Sequence, residues 1–134
     1  MKIVRAGEVD TIIAPSSYFT GTVYQQPIVT AEDPARVNAA TVTFTPGART
    51  NWHTHPLGQT LHVVSGCGWF QTVGEPRIEI RPGDSIWIPP GEKHWHGATA
   101  SVAMTHIAIH ERDGEAGHIT WMEPVEDADY LAQR

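Results

Sequence analysis

The chain has 134 residues, 40% of them apolar, and a net charge of −6 from nine basic and fifteen acidic side chains. That length is enough to bury a hydrophobic core and reads as one domain spanning residues 1–134. No apolar run approaches the ~20 residues that cross a bilayer, and no Lys/Arg cluster suits a nucleic acid, so neither a membrane nor a nucleic acid is expected as a partner.

From the N-terminus, "MKIVRAGEVD" lacks the long apolar stretch of a signal peptide, and Pro15–Phe19 reads as a short helical segment. Short β-rich runs follow at Arg36–Thr45, Thr60–Ser65, Cys67–Val73, Arg77–Ile80, Asp84–Ile88, Ser101–His110 and His118–Met122. Turn signals such as "PGAR", "SGCG", "RPGD" and "PPGEKH" separate them. Many short strands at this spacing predict an all-β barrel or sandwich, with helix expected elsewhere only after Pro124, in "VEDADYLAQ". In "SVAMTHIAIH" both parity classes are largely apolar, which implies cover on both faces of the strand, either by another subunit, as in an expected homodimer or homotetramer, or by sheet-on-sheet packing within the chain. Cys67 is the only cysteine; it excludes an internal disulfide and fits a reducing cytoplasm.

The chemistry concentrates in "NWHTHPLGQTL". Side chains alternate along an extended strand, so His53 and His55 point the same way; a turn at Pro56 and Gly58 leaves the direction of Gln59 open. Two imidazoles on one face make half of a metal site. The other half is supplied further on. "GARTNWHTHPLGQTLHVVSG" places Gly47, five residues, His53-x-His55, three residues, Gln59, six residues and Gly66. After sixteen more residues, "GDSIWIPPGEKHWHGA" places Gly83, five residues, Pro89-x-Gly91, two residues and His94. These stretches, residues 47–66 and 83–98, resemble the two motifs of the cupin superfamily, which implies a jelly-roll β-barrel with a short C-terminal helix. Two positions depart from the pattern: Gln59 replaces a glutamate and Ala98 an asparagine.

The resemblance carries the metal ligands over as His53, His55, Gln59 and His94. Three imidazoles and an amide oxygen suit one divalent transition ion per chain: manganese, iron, cobalt, nickel or zinc. A glutamate would lower the charge of a divalent site, whereas Gln59 leaves it at full charge. Such a site is a stronger Lewis acid, attracts anions, and is less suited to stabilising a higher oxidation state.

Further phrases, "YFTGTV", "VTFTPGART", "SGCGW", "AMTHIAI" and "WME", are similar to those of the small bacterial manganese-dependent cupin hydroxynitrile lyases and extend over most of the chain. That resemblance implies a small-molecule substrate, a cyanohydrin cleaved reversibly to aldehyde and cyanide. It implies His106 as the acid/base residue, with Ala40, Val42, Thr50, His96 and position 110 around the substrate. His110 stands where the group has glutamine. Strand parity puts Ala40, Val42 and Phe44 on one face, and makes His96 and His110 candidates to hydrogen-bond or protonate the departing anion. His62 has the parity of an outward residue, and His118 has no special claim. Trp52, Trp69, Trp87 and Trp95 fall in or beside the motifs and collectively suggest a dry cavity, although core packing accounts for each one singly. Two other functions stay open at this level: a metal-dependent dioxygenase, against which Gln59 counts, and a non-enzymatic ligand-binding cupin.

Overall fold

A computed structural model describes residues 1–113 and 119–132. After a 3-10 turn at Ala6–Glu8 come β1 (Ile12–Ile13), β2 (Phe19–Thr20), β3 (Val23–Thr30), β4 (Val37–Phe44), β5 (Arg49–Thr50) and β6 (His53–Thr54). They are followed by β7 (Gln59–Gly66), β8 (Gly68–Thr72), β9 (Ile78–Ile80), β10 (Ser85–Ile88), β11 (His94–Ala98), β12 (Met104–Glu111) and β13 (Thr120–Trp121). Among the described residues the one α-helix, α1, is Asp127–Tyr130. The strands pair antiparallel in two sheets. The first runs β1-β3-β4-β12-β7-β10; the second runs β13-β6-β11-β5-β2, with β8 also on β11 and β9 on β8. This is the mostly-β architecture that the turn spacing predicts.

Period-two alternation builds the core. In β4, Val42 and Phe44 face inward while Thr41 and Thr43 face out, and on the outer face Thr43 Oγ1 meets Thr105 Oγ1 at 3.0 Å. Val42, Phe44, Leu61, Val63, Ile88 and Met104 form one buried cluster between the sheets. A second cluster of Trp52, Trp95, Val125 and Tyr130 lies apart from it, with Trp69 and Met122 packed against it. β11 separates the two: His94 and His96 share one parity, and Trp95 between them joins the second cluster.

The C-terminal segment is clamped across that second cluster. Buried Arg49 donates twice to the Val125 carbonyl, at 3.2 and 2.7 Å, and once to Asp127, at 2.8 Å. Its guanidinium lies 4.2 Å from the centre of the Tyr130 ring. Asn51 Nδ2 bridges the carbonyls of Ser17 and Met122, and backbone bonds tie Trp52 to Met122 and Glu123. Arg77 donates to the Tyr130 carbonyl and stacks over Trp69.

Some sequence expectations change. Pro15–Phe19 is a turn leading into β2 rather than a helix, because Phe19–Thr20 pairs with Thr50–Arg49 and the Tyr18 carbonyl accepts from Asn51 N. The expected strand from Ser101 starts at Met104, after a turn in which Val102 N donates to Thr99 Oγ1. β3 escaped prediction because Pro27 interrupts it; the strand accommodates the missing donor with a bulge between Pro27 and Val29. Thr120–Trp121 forms the last strand, and His118 lies outside the described residues.

The clamp makes a quantitative prediction. Arg49→Met should cost about 2–4 kcal/mol, since it removes several charge-assisted bonds and leaves a buried carbonyl unpaired. Asp127→Asn should cost less than about 1 kcal/mol, because that carboxylate is solvated. Urea unfolding of metal-free protein measures both.

Candidate active site

Each sheet brings one set of polar side chains to a shared cavity. On the second sheet, His53 and His94 are direct cross-strand partners, and Trp121 pairs with His53 on the other side. On the first sheet, His106, Ala108 and His110 pair with Val42, Ala40 and Asn38. The turn between them ends at Gly58, whose φ of +78° and approach to the Ile88 carbonyl and the Trp87 ring exclude a side chain. It turns the chain so that Gln59, first residue of β7, is buried and lines the same cavity as His53 and His55.

The cavity measures about 250 Å³. Ala40, Val42, Phe44, Thr50, His53, His55, Gln59, His96, His106 and His110 all line it, so nearly every residue singled out in the sequence converges here. His94 sits fully buried behind the wall, 4.2 Å from His53 ring to ring. His110 is half-buried, with its ring 5.6 Å from that of His55. His62 points outward and meets Ser85. The motif tryptophans are elsewhere: Trp52, Trp69 and Trp95 belong to the second cluster, and Trp87 is exposed. The aromatic residues of the wall are instead Phe19, Phe44 and Trp121, and sequence reasoning missed two of them. Trp121 had a signal in the "WME" phrase; Phe19 had been assigned to a helix.

Hydrogen bonding fixes which imidazole nitrogens are available. His53 Nδ1 lies 2.8 Å from the Asn51 carbonyl, and His94 Nδ1 lies 2.8 Å from the Glu92 carbonyl. A carbonyl only accepts, so each Nδ1 carries the proton and each Nε2 keeps its lone pair. This is the arrangement of a metal-ligating histidine oriented from behind. His96 Nδ1 and His106 Nε2 share a hydrogen bond of 2.9 Å. Both nitrogens of His55, Gln59 Oε1, His94 Nε2, His96 Nε2 and His106 Nδ1 are buried without a protein partner. One nitrogen of His55, and either His96 Nε2 or His106 Nδ1, carries the proton of a neutral imidazole; the other atoms offer lone pairs. A buried polar atom left unpaired costs about 1–3 kcal/mol, and lone pairs gathered this way suit a cation.

Burial, reinforced by neighbouring imidazoles, lowers the pKa of His53 and of His96 well below 6.5. It lowers His55 to about 3, and His94 and His106 to about 4; His110 shifts the same way. The imidazoles are therefore neutral at pH 7, not cations. Among the described residues no Asp, Glu, Lys or Arg lines the cavity. The donor atoms of His53, His94 and His96 all lie within 4.8 Å of one another. His55 is placed differently from that trio: its ring is 5.1 Å from that of His53 and 5.6 Å from that of His94, on centroids.

The two-sheet fold and its histidine cluster agree with what comparison finds: the model of the cupin domain matches residues 40–110. The chain belongs to the cupin family. It is 56% identical over 131 residues to (R)-mandelonitrile lyase from Granulicella tundricola, covering 97% of this chain and 98% of that protein. A cupin-like protein from Thermotoga maritima superposes with a TM-score of 0.83 at 38% identity, covering 88% of this chain and 89% of the other. A polyketide cyclase from Streptomyces resistomycificus, only 18% identical, shares the cupin fold at a TM-score of 0.74 over 97% of this chain and 90% of its own.

The neutral imidazoles make stability depend on pH. Above about pH 6.5 neither folded nor unfolded chain protonates them; from there down to about pH 4 the unfolded chain alone binds those protons. Metal-stripped protein should therefore lose stability steadily as the pH falls through that window, in denaturant titrations at a series of pH values. A flat profile would mean that the imidazoles are solvated.

Proposed function

We propose that this chain is a metal-dependent hydroxynitrile lyase that reversibly cleaves (R)-cyanohydrins to an aldehyde and cyanide. The observation that carries the reading is the near full-length identity to (R)-mandelonitrile lyase. An imidazole-rich cavity of small-molecule size, with no formally charged side chain among the described residues of its lining, supports it.

His53, His55, Gln59 and His94 are the proposed ligands of one manganese ion. Iron, cobalt, nickel and zinc suit the same donors. Support comes from the free Nε2 of His94, the two unpartnered nitrogens of His55 and the unpartnered Gln59 Oε1. His96 belongs to the cluster by distance, but one of its nitrogens is committed to His106. When bound, the ion supplies a Lewis acid that polarises the substrate oxygen.

The chain's own residues then handle protons and carbon. His106, neutral and hydrogen-bonded to His96, takes the hydroxyl proton as general base, and the His96 imidazole spreads the charge that arrives. The oxygen electrons form the aldehyde carbonyl as the C–C bond breaks, and its electron pair leaves with cyanide. The proton held by the imidazole pair passes to cyanide, so HCN leaves and the site returns to its starting state. No carboxylate among the described residues of the wall repels the departing anion. Ala40, Val42, Phe44 and Thr50 shape the space around the reacting carbon, and Thr50 Oγ1 accepts from His96 N, holding β11 in place.

The same reading takes residues 1–134 as one cytoplasmic domain, supported by the lone Cys67; among the described residues no helix is long and apolar enough to cross a membrane. It takes the protein as a homodimer or homotetramer. The outer face of the first sheet supports this: Tyr24, Thr41, Thr43, Val64, Trp87, Thr105, Ile107 and Ile109 form a mostly apolar band, with exposed Glu111 at the end of the same strand face.

The manganese-loaded protein should release benzaldehyde from (R)-mandelonitrile in preference to the (S) form, and a chelator should abolish the release. His106→Ala should keep its metal and lose about 10²–10⁴-fold in turnover, with a smaller change for His110→Gln, which sits beside His55 near the entrance. Chelator-insensitive release, or an almost fully active His106→Ala, would overturn the reading.

A further inference from the structure

The imidazole cluster is flanked by two aromatic rings, and they differ in position. Phe44 packs edge-on against His96, at 5.8 Å, and 5.3 Å from His106, and is fully buried. It closes the inner end of the cavity. Trp121 lies at 4.6 Å from the His53 ring, tilted by 35°, and is only partly buried. The exposed part of the lining is the other end, where Pro27, Val29 and half-buried Ile119 stand. A molecule whose reacting oxygen lies among the imidazoles must extend its carbon substituent toward that open end. On the way it passes the indole.

The indole is held firmly. Strand pairing sets Trp121 opposite His53, Tyr18 stacks on it at 4.7 Å and 10°, and Phe19 packs against it at 5.5 Å. The Asn51 side chain grips the next carbonyl, that of Met122, and Arg49 grips that of Val125. An aryl group gains dispersion and quadrupole contact there that a short alkyl group does not.

Building on the lyase reading above, we propose that Trp121 is a specificity-determining residue, its indole being the surface against which the substituent of the cyanohydrin carbon packs and by which aryl substrates are favoured over small alkyl ones. The contact is made by bound substrate and by the aldehyde product alike, so it is read in binding as well as in turnover.

The test uses the manganese-loaded full chain and the variants Trp121→Leu and Trp121→Phe. Two ratios are measured: kcat/KM for mandelonitrile against the cyanohydrin of propanal, and the affinities for benzaldehyde against propanal by ligand-observed NMR. Manganese content is determined on each sample. Trp121→Leu should lower both ratios by about 5–10-fold with manganese retained, and Trp121→Phe should restore most of the loss. Unchanged ratios would overturn the proposal. So would an equal fall for both substrates accompanied by loss of manganese, which would reduce Trp121 to a brace for His53. If Trp121→Leu fails to fold, Trp121→Met makes the same comparison. If the parent turns over neither cyanohydrin, the lyase reading fails, and the ratio of aldehyde affinities still decides the role of Trp121.

Discussion

The fold is arranged around the burial of uncharged imidazoles. Taking a histidine out of water removes its hydrogen-bonding partners and penalises its protonated form. Here His53, His55, His94, His96 and His106 all suffer this at once, and among the described residues no carboxylate lines the cavity to stabilise a positive charge. Such a cluster is unfavourable by itself and favourable around a cation, so the binding energy of an ion is linked to the folding of the barrel.

What the rest of the molecule contributes is orientation. Antiparallel pairing sets His53 against His94, while backbone carbonyls two residues earlier, those of Asn51 and Glu92, turn each ring so that Nε2 faces inward. Behind this layer, β11 presents Trp95 to a second apolar cluster, which the Arg49 clamp and the C-terminal segment close. The tryptophans around the motifs thus support the site from outside. Catalytic geometry and global stability meet in β5, β6 and β11, where each residue serves one face or the other.

Much of this was legible in the sequence because it depends on local spacing. Alternation put His53 with His55 and Ala40 with Val42 and Phe44, and the spacing of motif glycines and histidines reached the fold and the ligand candidates together. The illegible part depends on tertiary contact. β2, β5 and β6 are two residues long and have no periodicity of their own; they exist because neighbouring strands pair with them. The tryptophans could be sorted only in part by sequence: alternation between His94 and His96 turns Trp95 away from the cavity, whereas Trp121 lies outside both motifs and is directed inward by its pairing with His53. The His96–His106 hydrogen bond joins two strands across the barrel and was equally invisible.

The account stands or falls on which imidazoles hold the ion. His53 and His94 are common to both possible sets; His55 with Gln59 completes one, His96 the other. Calorimetric titration of stripped protein with manganese measures this directly. The account predicts one ion per chain, binding lost in His55→Ala and retained in His96→Ala. Binding that survives His55→Ala and disappears in His96→Ala would contradict it.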